Sequence, residues 1–406
     1  MNPNIRQIKE AREVEQLAPY ASLSSGSLGR VFAEEQDPVR TCFERDRDRI
    51  VHSAAFRRLM YKTQVFLNEE GDEHRTRLSH SLEVAQVART LASGLNLNEH
   101  LAEALALCHD IGHPAFGHRG EVALHALMAE HGGFRHNNQV LRVVDLLERR
   151  SPDYAGLNLT RELRESLLKH ESAEDWPAEF DPRPRQPRLE AQVTDLADST
   201  AYNKHDIEDG LTAGMFTEQQ IFDEVSLWRR SVAAVEKRHP GFLEASRDPK
   251  LRVQRIANQL IGAAIEDILE ASAQRLMEVA PGSVAQVQAH RSMLICHSDS
   301  FSAEVAELSR FLHRRFYRHE HLQRFLVFAG HVLTGLFEVY LERPSELPDW
   351  YREWSDEQGL HRSLCDFLAG MTDRFALREY ERLVGPLPDG FQPLKGSISQ
   401  MRPERD

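Results

Sequence analysis

Residues 109–121 read HDIGHPAFGHRGE and separate two segments of helical periodicity. The preceding segment, 98–109, places three apolar side chains on one helical face and begins at Asn98, a favourable N-cap. Two glycines and a proline within seven residues then favour a loop. A second helix is expected to resume near Gly120. The stretch therefore predicts two helices joined by a loop that is rich in histidine.

The chain on either side carries the same helical pattern. Apolar residues recur at helical spacing in the segments 78–93, 189–213, 303–317 and 322–342. Alternating segments bounded by turns, which are typical of strands, are scarce. We therefore predict an all-α protein, in which a helical core is followed by a C-terminal helical extension.

Composition excludes several classes of protein. The 406 residues carry 63 acidic and 50 basic side chains, a formal charge of -13, which argues against a globally basic nucleic-acid coat. The four cysteines form no CxxC pair, so a disulfide framework or zinc ribbon is not expected and a reducing cytoplasm fits best. No signal-type segment opens the chain and no run of 18 apolar residues occurs, so we predict no membrane span.

Histidine is the unusual residue type in this chain. Nine of its 20 histidines fall between His74 and His136. Taken singly, His113 or His118 is compatible with a role in capping local backbone. Their clustering in one short segment with two glycines instead points to a chemical site.

Four side chains are placed so that they can share one divalent cation. His109 and Asp110 stand at a helix end followed by a tight loop, where adjacent side chains can converge. A short turn precedes this helix, so the two helices should pack antiparallel and bring His80 opposite His109. Asp198, on a helix with apolar neighbours, is the best fourth donor. Imidazole with carboxylate suits Mn, Fe, Co, Ni or Zn, and Mg less well.

Five longer blocks make the pattern more specific. The blocks are DRDRIVHSAAFRRLMYKTQVF at 46–66, RTRLSHSLEVAQ at 75–86, HDIGHPAFGHRGE at 109–121, FRHNNQ at 134–139 and LADSTAYNKHDIEDG at 196–210. Together they resemble the deoxyguanosine triphosphate triphosphohydrolase branch of the HD-domain phosphohydrolases, in its shorter bacterial, dGTPase-like form.

The resemblance implies a role for each matching residue of the reaction centre. It assigns the cation to four ligands, His80, His109, Asp110 and Asp198. His118 and Glu121 correspond to a catalytic pair that orients and deprotonates water. His113 corresponds to a histidine beside the α-phosphate. His136 corresponds to a further histidine near the scissile bond, although FRHNNQ differs slightly from the FEHN usual in the family.

The resemblance also implies how substrate is held. Arg77 corresponds to a phosphate-binding arginine, and with His113 it would supply positive charge to a tetra-anionic substrate. Tyr202 and Asp206 correspond to contacts on the sugar and phosphate side, where an aromatic ring can exclude a 2′-hydroxyl. Gln64 corresponds to the residue that bonds the sugar 3′-hydroxyl. Without the family, Gln64 would be read as a surface glutamine and Tyr202 as a core tyrosine.

Further expectations follow from the same resemblance. We expect an N-terminal arm at 1–45, an HD-domain catalytic core at 46–215 and a C-terminal helical region at 216–406 packed on that core. The cofactor would be Mn, Mg or another first-row divalent ion. Partners would be a dNTP substrate, an activating dNTP and further copies of the chain, with a hexamer as the expected assembly. The segment 310–324 has aromatic residues among arginines and histidines, and we favour a solvated basic face. Contact with nucleotide phosphate, with a neighbouring subunit or with single-stranded DNA remains an alternative.

Three functions remain open on sequence grounds. The first is hydrolysis of dGTP or a broader set of dNTPs to deoxynucleoside and inorganic triphosphate. The second is another HD-domain phosphohydrolase, a nucleotidase or phosphodiesterase, because the same four ligands would serve it. The third is a nucleotide sensor or nucleic-acid-binding regulator without catalysis, which the intact Glu121 and the complete ligand set disfavour.

Overall fold

The structure is a computed structural model that describes residues 4–67, 75–169, 171–172, 175–246 and 248–388. Regular structure in this part is helical, apart from isolated bridges, which confirms the all-α prediction. The α-helices are α1 (Ile5–Gln16), α2 (Cys42–Val51), α3 (Ala54–Arg58), α4 (Arg77–Gly94), α5 (Glu99–Cys108), α6 (Gly117–Leu127), α7 (His136–Arg142), α8 (Arg161–Leu167), α9 (Leu189–Thr212), α10 (Glu218–Glu224), α11 (Ser226–Arg238), α12 (Phe242–Ala245), α13 (Pro249–Val279), α14 (Val284–Ala289), α15 (Asp299–Leu312), α16 (Glu320–Glu342), α17 (Asp349–Gln358), α18 (Leu360–Gly370) and α19 (Asp373–Leu383).

Helix boundaries differ from the sequence expectation at two informative places. Helix α6 begins at Gly117 rather than near Gly120, directly after Phe116, which has a left-handed φ of 64°. The predicted helix 303–317 is α15 up to Leu312, continued by a π-helical turn over His313–Tyr317. Both irregular places adjoin the cavity described below, as is common for π-bulges and strained backbone.

Three apolar clusters hold the helices together. The first joins α2, α4, α5 and the first half of α9, with Ile268 of α13 packed against them. The second joins α6, α16, α18 and α19, and the third joins α11, α13 and α15 with the end of α9. Helix α9 therefore takes part in two of the clusters. The predicted domain boundaries at residues 45 and 215 remain a prediction. The first cluster contains Ile268, so it includes helices from both sides of residue 215.

Helix α16 is long and apolar enough to cross a membrane by length and composition, the one such helix within the described ranges. Its apolar face is nevertheless occupied: Phe325, Val332, Leu336 and Tyr340 are buried in the second cluster against α6, α18 and α19. This is how the central helix of a packed core behaves.

A buried polar junction ties the histidine-rich loop to the C-terminal helices. The Lys62 ammonium donates to the carbonyl of His113 at 2.5 Å and to a carbonyl at the end of α18 at 2.8 Å. Asp373, at the start of α19, accepts from the backbone N–H of Thr63 at 2.8 Å and of Phe116 at 2.8 Å. The junction therefore holds the backbone of the loop at two places, the carbonyl of His113 and the N–H of Phe116.

Candidate active site

A cavity of about 580 Å³ lies between α4, α6, α9 and α16. Of the twelve predicted site residues, all but Glu121 line it. Glu121 stands behind the wall, bonded to two of the lining histidines. The lining residues from the prediction are Gln64, Arg77, His80, His109, Asp110, His113, His118, His136, Asp198, Tyr202 and Asp206.

Local structure explains how the four predicted cation ligands reach one place. Thr76 caps α4 through a capping box with Ser79, which sets His80 in the first turn of that helix. His109 is the C-cap of α5, so it and the next residue leave the helix together. Asp198 lies in the middle of α9. Helix α4 packs against both α5 and α9, which closes the set.

The donor atoms of His80, His109 and Asp110 lie within 4.8 Å of one another, and Asp198 lies close to both histidines. His80 Nε2 lies 3.0 Å from Asp198 Oδ1, and His109 Nε2 lies 3.6 Å from the same oxygen. His109 Nε2 is also 3.4 Å from Asp110 Oδ1. Ligands about 2.1 Å from a first-row ion lie roughly 3.0–3.4 Å from their neighbours. The spacing therefore fits one divalent ion.

The state of these groups supports the same fit. The ring of His109 donates from Nδ1 to the carbonyl of Ala106 at 2.6 Å, so its Nε2 carries the lone pair, and Nε2 is buried with no hydrogen-bond partner. Burial would raise the pKa of Asp110 and Asp198, but the neighbouring histidines, with Arg77 beside Asp110, outweigh burial and hold the pKa of both carboxylates below its usual range. Two anions and neutral imidazole nitrogens suit a first-row divalent cation.

Glu121 organises the second group of catalytic candidates. Its carboxylate accepts from His118 Nδ1 at 3.2 Å, from His136 Nδ1 at 2.9 Å and from the backbone N–H of His136 at 2.8 Å. Burial would raise the pKa of Glu121, yet these histidines lower it well below its usual value. Both rings therefore turn Nε2 away from the carboxylate. The sequence paired Glu121 with His118 alone and missed its bonds to His136.

His113 lies between the two groups. Its ring stacks on His136 with centroids 3.9 Å apart, and its Nδ1 is 3.0 Å from Asp110 Oδ1. Burial, together with Arg77 and His136 nearby, lowers the pKa of His113 well below its usual value. The ring is therefore a neutral hydrogen-bonding group at neutral pH rather than a fixed positive charge.

Arg77 supplies the buried positive charge of the cavity. Its Nη1 donates to Asp110 Oδ2 at 2.9 Å, while Nε and Nη2 are buried with no hydrogen-bond partner in the part of the chain that the structure describes. Gly117, with φ of 57°, leaves the necessary room, since a Cβ there would lie 2.6 Å from Nη2. Buried donors without partners are costly, so their presence in a cavity wall is typical of an anion site.

Helix α9 continues the cavity wall away from the cation ligands. Tyr202 and Asp206 follow Asp198 by one and two turns, about 6 and 12 Å along the axis. Gln64 adds a buried Oε1 that lacks a partner among the described residues. Burial raises the pKa of Asp206 to about 7, even though the Tyr317 hydroxyl bonds to its carboxylate.

The structure adds lining residues that the sequence did not single out. Tyr317 enters the cavity and donates to Asp206, which corrects the reading of 310–324 as only a solvated face. Within that segment the face with His313 and Arg314 is exposed as expected. Lys169 and Asp195 also line the cavity and form an ion pair. Aromatic residues among basic ones were a signal for Tyr317, and no sequence signal marked Lys169.

Comparison with known proteins identifies the family of this chain. Residues 77–203 match the HD domain, and residues 295–382 match the phosphohydrolase-associated domain. Similar curated proteins are the deoxyguanosinetriphosphate triphosphohydrolase-like proteins of Geobacter sulfurreducens, 46 % identical over 91 % of this chain and 95 % of that protein, and of Thiobacillus denitrificans, 45 % identical over 90 % and 96 %. The counterpart from Brucella ovis is 43 % identical over 92 % and 96 %. The chain therefore belongs to the deoxyguanosinetriphosphate triphosphohydrolase-like family of HD-domain phosphohydrolases.

Proposed function

We propose that this protein hydrolyses dNTPs, with dGTP among them, to deoxynucleoside and inorganic triphosphate in the presence of a divalent cation. The observation that carries the proposal is the convergence of two groups on one cavity. Four ligand side chains lie on one side, and the Glu121-linked histidines lie on the other, with the unpartnered nitrogens of Arg77 between them. The names of the similar proteins point to the same reaction.

The cation ligands proposed are His80, His109, Asp110 and Asp198. A divalent ion bound there supplies Lewis-acid stabilisation of charge on the α-phosphate. The ion is proposed to be Mn, Mg or another first-row divalent ion, and the imidazole-rich donor set favours the transition ions over Mg.

The chain's own residues carry the proton transfers. Glu121 fixes the rings of His118 and His136 so that each Nε2 faces away from the carboxylate, and His118 accepts a proton from the attacking water. The water oxygen bonds to the α-phosphorus as the bond from that phosphorus to O5′ breaks. O5′ takes up a proton from solvent and leaves as the deoxynucleoside, triphosphate remains, and His118 returns its proton to solvent.

The remaining lining residues hold the substrate. Arg77, with Lys169 in the same cavity, offsets the phosphate charge, and His113, whose Nδ1 faces Asp110, borders the α-phosphate. Tyr202 and Asp206 border the sugar, where the ring of Tyr202 leaves no room for a 2′-hydroxyl. Gln64 bonds the 3′-hydroxyl through its unpartnered oxygen.

Family membership supports proposals about assembly and location. We propose a cytoplasmic homo-oligomer, a hexamer as the expected form, whose activity an additional dNTP increases, and weak single-stranded DNA binding by 310–324. Light scattering with and without dNTP measures the assembly directly. A monomer at every nucleotide concentration would contradict the oligomer.

A matrix of cations against nucleotides, with product identification by phosphorus NMR, tests the function. Each dNTP is incubated with Mn, Mg or Co, alone and with a second dNTP, beside ribonucleotides, monophosphates and cyclic dinucleotides. Inorganic triphosphate from at least one dNTP is expected. Release of pyrophosphate or phosphate instead would favour another HD phosphohydrolase, and tight dNTP binding without turnover would favour a sensor.

A further inference from the structure

His205 lies directly behind one of the proposed cation ligands. Its Nδ1 is 3.3 Å from Nδ1 of His80, and its Nε2 is 2.6 Å from Oε2 of Glu83. Both rings are buried. The three side chains form a continuous row from Glu83 through His205 to His80, which ends at the cation site.

The chemistry of the row fixes where its protons stand. An ionised carboxylate only accepts hydrogen bonds, so His205 presents N–H at Nε2 and a lone pair at Nδ1. Two facing Nδ1 atoms need one donor, and therefore His80 carries N–H at its Nδ1. The remaining nitrogen, His80 Nε2, then faces Asp198 Oδ1 at 3.0 Å, where either a proton or a cation must lie between them.

Neighbouring charges keep Glu83 in place and ionised. Arg75 Nε lies 3.4 Å from Glu83 Oε1, and Lys204 Nζ lies 3.7 Å from Oε2. The pairing also ties the two helices of the site together, because Glu83 stands three residues after His80 on α4 and His205 stands on α9. Helix α9 thus provides both Asp198 as a ligand and His205 as a support.

The other imidazole ligand is oriented differently. His109 donates to the backbone carbonyl of Ala106, a bond that no side-chain substitution removes. Of the two imidazole ligands, only His80 is held by other side chains, which can be substituted. We propose that Glu83 and His205 are positioning residues that present Nε2 of His80 to the cation, an inference that rests on the proposed cation site.

Cation affinity, measured apart from activity, tests this role. Mn²⁺ binding to purified full-length protein is followed by electron paramagnetic resonance of the free ion, and Co²⁺ binding by its visible spectrum. The variant His205→Phe keeps a buried ring without an acceptor, and Glu83→Ala removes the carboxylate at a partly exposed position. Each is expected to weaken Mn²⁺ binding by about 10- to 100-fold, the usual effect of losing an outer partner of a histidine ligand.

A conservative variant and a control separate positioning from general damage. His205→Asn keeps an oxygen acceptor near the place of Nδ1 and is expected to bind Mn²⁺ within about threefold of the unchanged protein. His297 is a partly buried histidine paired with Asp267 at 2.7 Å, away from the cavity, and His297→Phe should leave Mn²⁺ binding unchanged.

The outcomes distinguish this inference from the function it rests on. If the unchanged protein binds no Mn²⁺ or Co²⁺, the cation site itself is wrong. If it binds and both His205→Phe and Glu83→Ala bind equally well, the positioning role is wrong. Equal weakening in His205→Asn, or in His297→Phe, would likewise overturn the role.

Discussion

At the scale of single residues, the site depends on side-chain nitrogen atoms that face the cavity because other nitrogens of the same side chains are hydrogen-bonded to carboxylates. Glu121 uses both oxygens on histidine Nδ1 atoms, which frees each Nε2 for the cavity. Arg77 uses one nitrogen on Asp110 and keeps two unpartnered. In both cases a fixed partner on one side orients a reactive group on the other, as expected of a preorganised site.

We predict that His118→Ala and Glu121→Ala lower kcat by about 10²- to 10⁴-fold, the range for loss of general acid–base catalysis. Neither side chain belongs to the cation cluster, so Mn²⁺ affinity should stay unchanged. Steady-state kinetics beside Mn²⁺ titration checks both parts. His131→Ala, an exposed position outside the cavity, is the control and should alter neither quantity. If Glu121→Ala no longer bound Mn²⁺, the carboxylate of Glu121 would belong to the cation site, and its assignment to the group with His118 and His136 would be wrong.

Asp206 gives a prediction about pH. In the unfolded chain this carboxyl ionises near its ordinary value of 3.8, whereas burial in the folded protein raises its pKa to about 7. The unfolded chain therefore releases its proton first as pH rises from 4 to 7, and the folded state loses stability over that range. Asp206→Asn cannot ionise and avoids this loss.

The Tm of Asp206→Asn should therefore rise relative to that of the unchanged protein between pH 5 and pH 8. Thermal unfolding in chelator at several pH values measures this difference. Asp349→Asn, at an exposed position on α17, should show no trend. A Tm difference that does not vary with pH would contradict the raised pKa.

At the scale of elements, the backbone of the loop between α5 and α6 packs directly against the backbone of α7. A Cβ on Gly112 would stand 2.3 Å from the carbonyl oxygen of His136 and 2.4 Å from the backbone nitrogen of Val140. Neither is a flexible side-chain atom, so the clash moves backbone. Glycine at this position therefore determines how closely His136 approaches the loop.

Gly112→Ala is predicted to lower the free energy of unfolding by about 1–3 kcal/mol, as overpacking does, and to reduce kcat. Gly262→Ala is the matched control, because Gly262 lies inside α13 and a methyl group there would meet nothing within 4 Å. That change should stabilise the protein by about 0.5–1 kcal/mol through helix propensity. Denaturant unfolding of both variants measures the contrast, and equal effects would contradict it.

At the scale of the whole molecule, the cavity is built from segments far apart in the chain. The residues that line it lie between Gln64 and Leu326 in the sequence. The loop between α5 and α6 is bonded to α18 through Lys62 and to α19 through Asp373. The C-terminal helices are thus part of the support of the site, even though their own residues lie outside the cavity.

Asp373→Ala is predicted to destabilise the protein and to reduce kcat well below the unfolding temperature. It leaves the donors of Thr63 and Phe116 unpaired, each at a cost of about 1–3 kcal/mol, and frees the loop that carries His113. Glu162→Ala is the control, a buried carboxylate of α8 that accepts from Ser27 Oγ and the backbone N–H of Leu28, outside the cavity. It should destabilise the fold while kcat of the folded fraction stays unchanged. A similar fall in kcat for both variants would assign the effect to general stability.

The amino-acid sequence by itself determined the helical class, and it predicted candidate site residues that the structure brings to one cavity. Helical periodicity repeats within a few residues, so local patterns suffice for the class, whereas most of the predicted site roles came from the family resemblance. The blocks around these residues also sufficed for the family. Short-range rules of this kind need no knowledge of packing.

Only the tertiary structure decided which side chains meet across the cavity. Tyr317 reaches Asp206, Lys169 reaches Asp195, and Glu121 bonds to both His118 and His136. These contacts depend on how the helices pack, and on the π-helical turn and the left-handed Phe116, which change the direction of the chain. Spacing along the chain does not predict them, because a long-range contact is set by position in three dimensions.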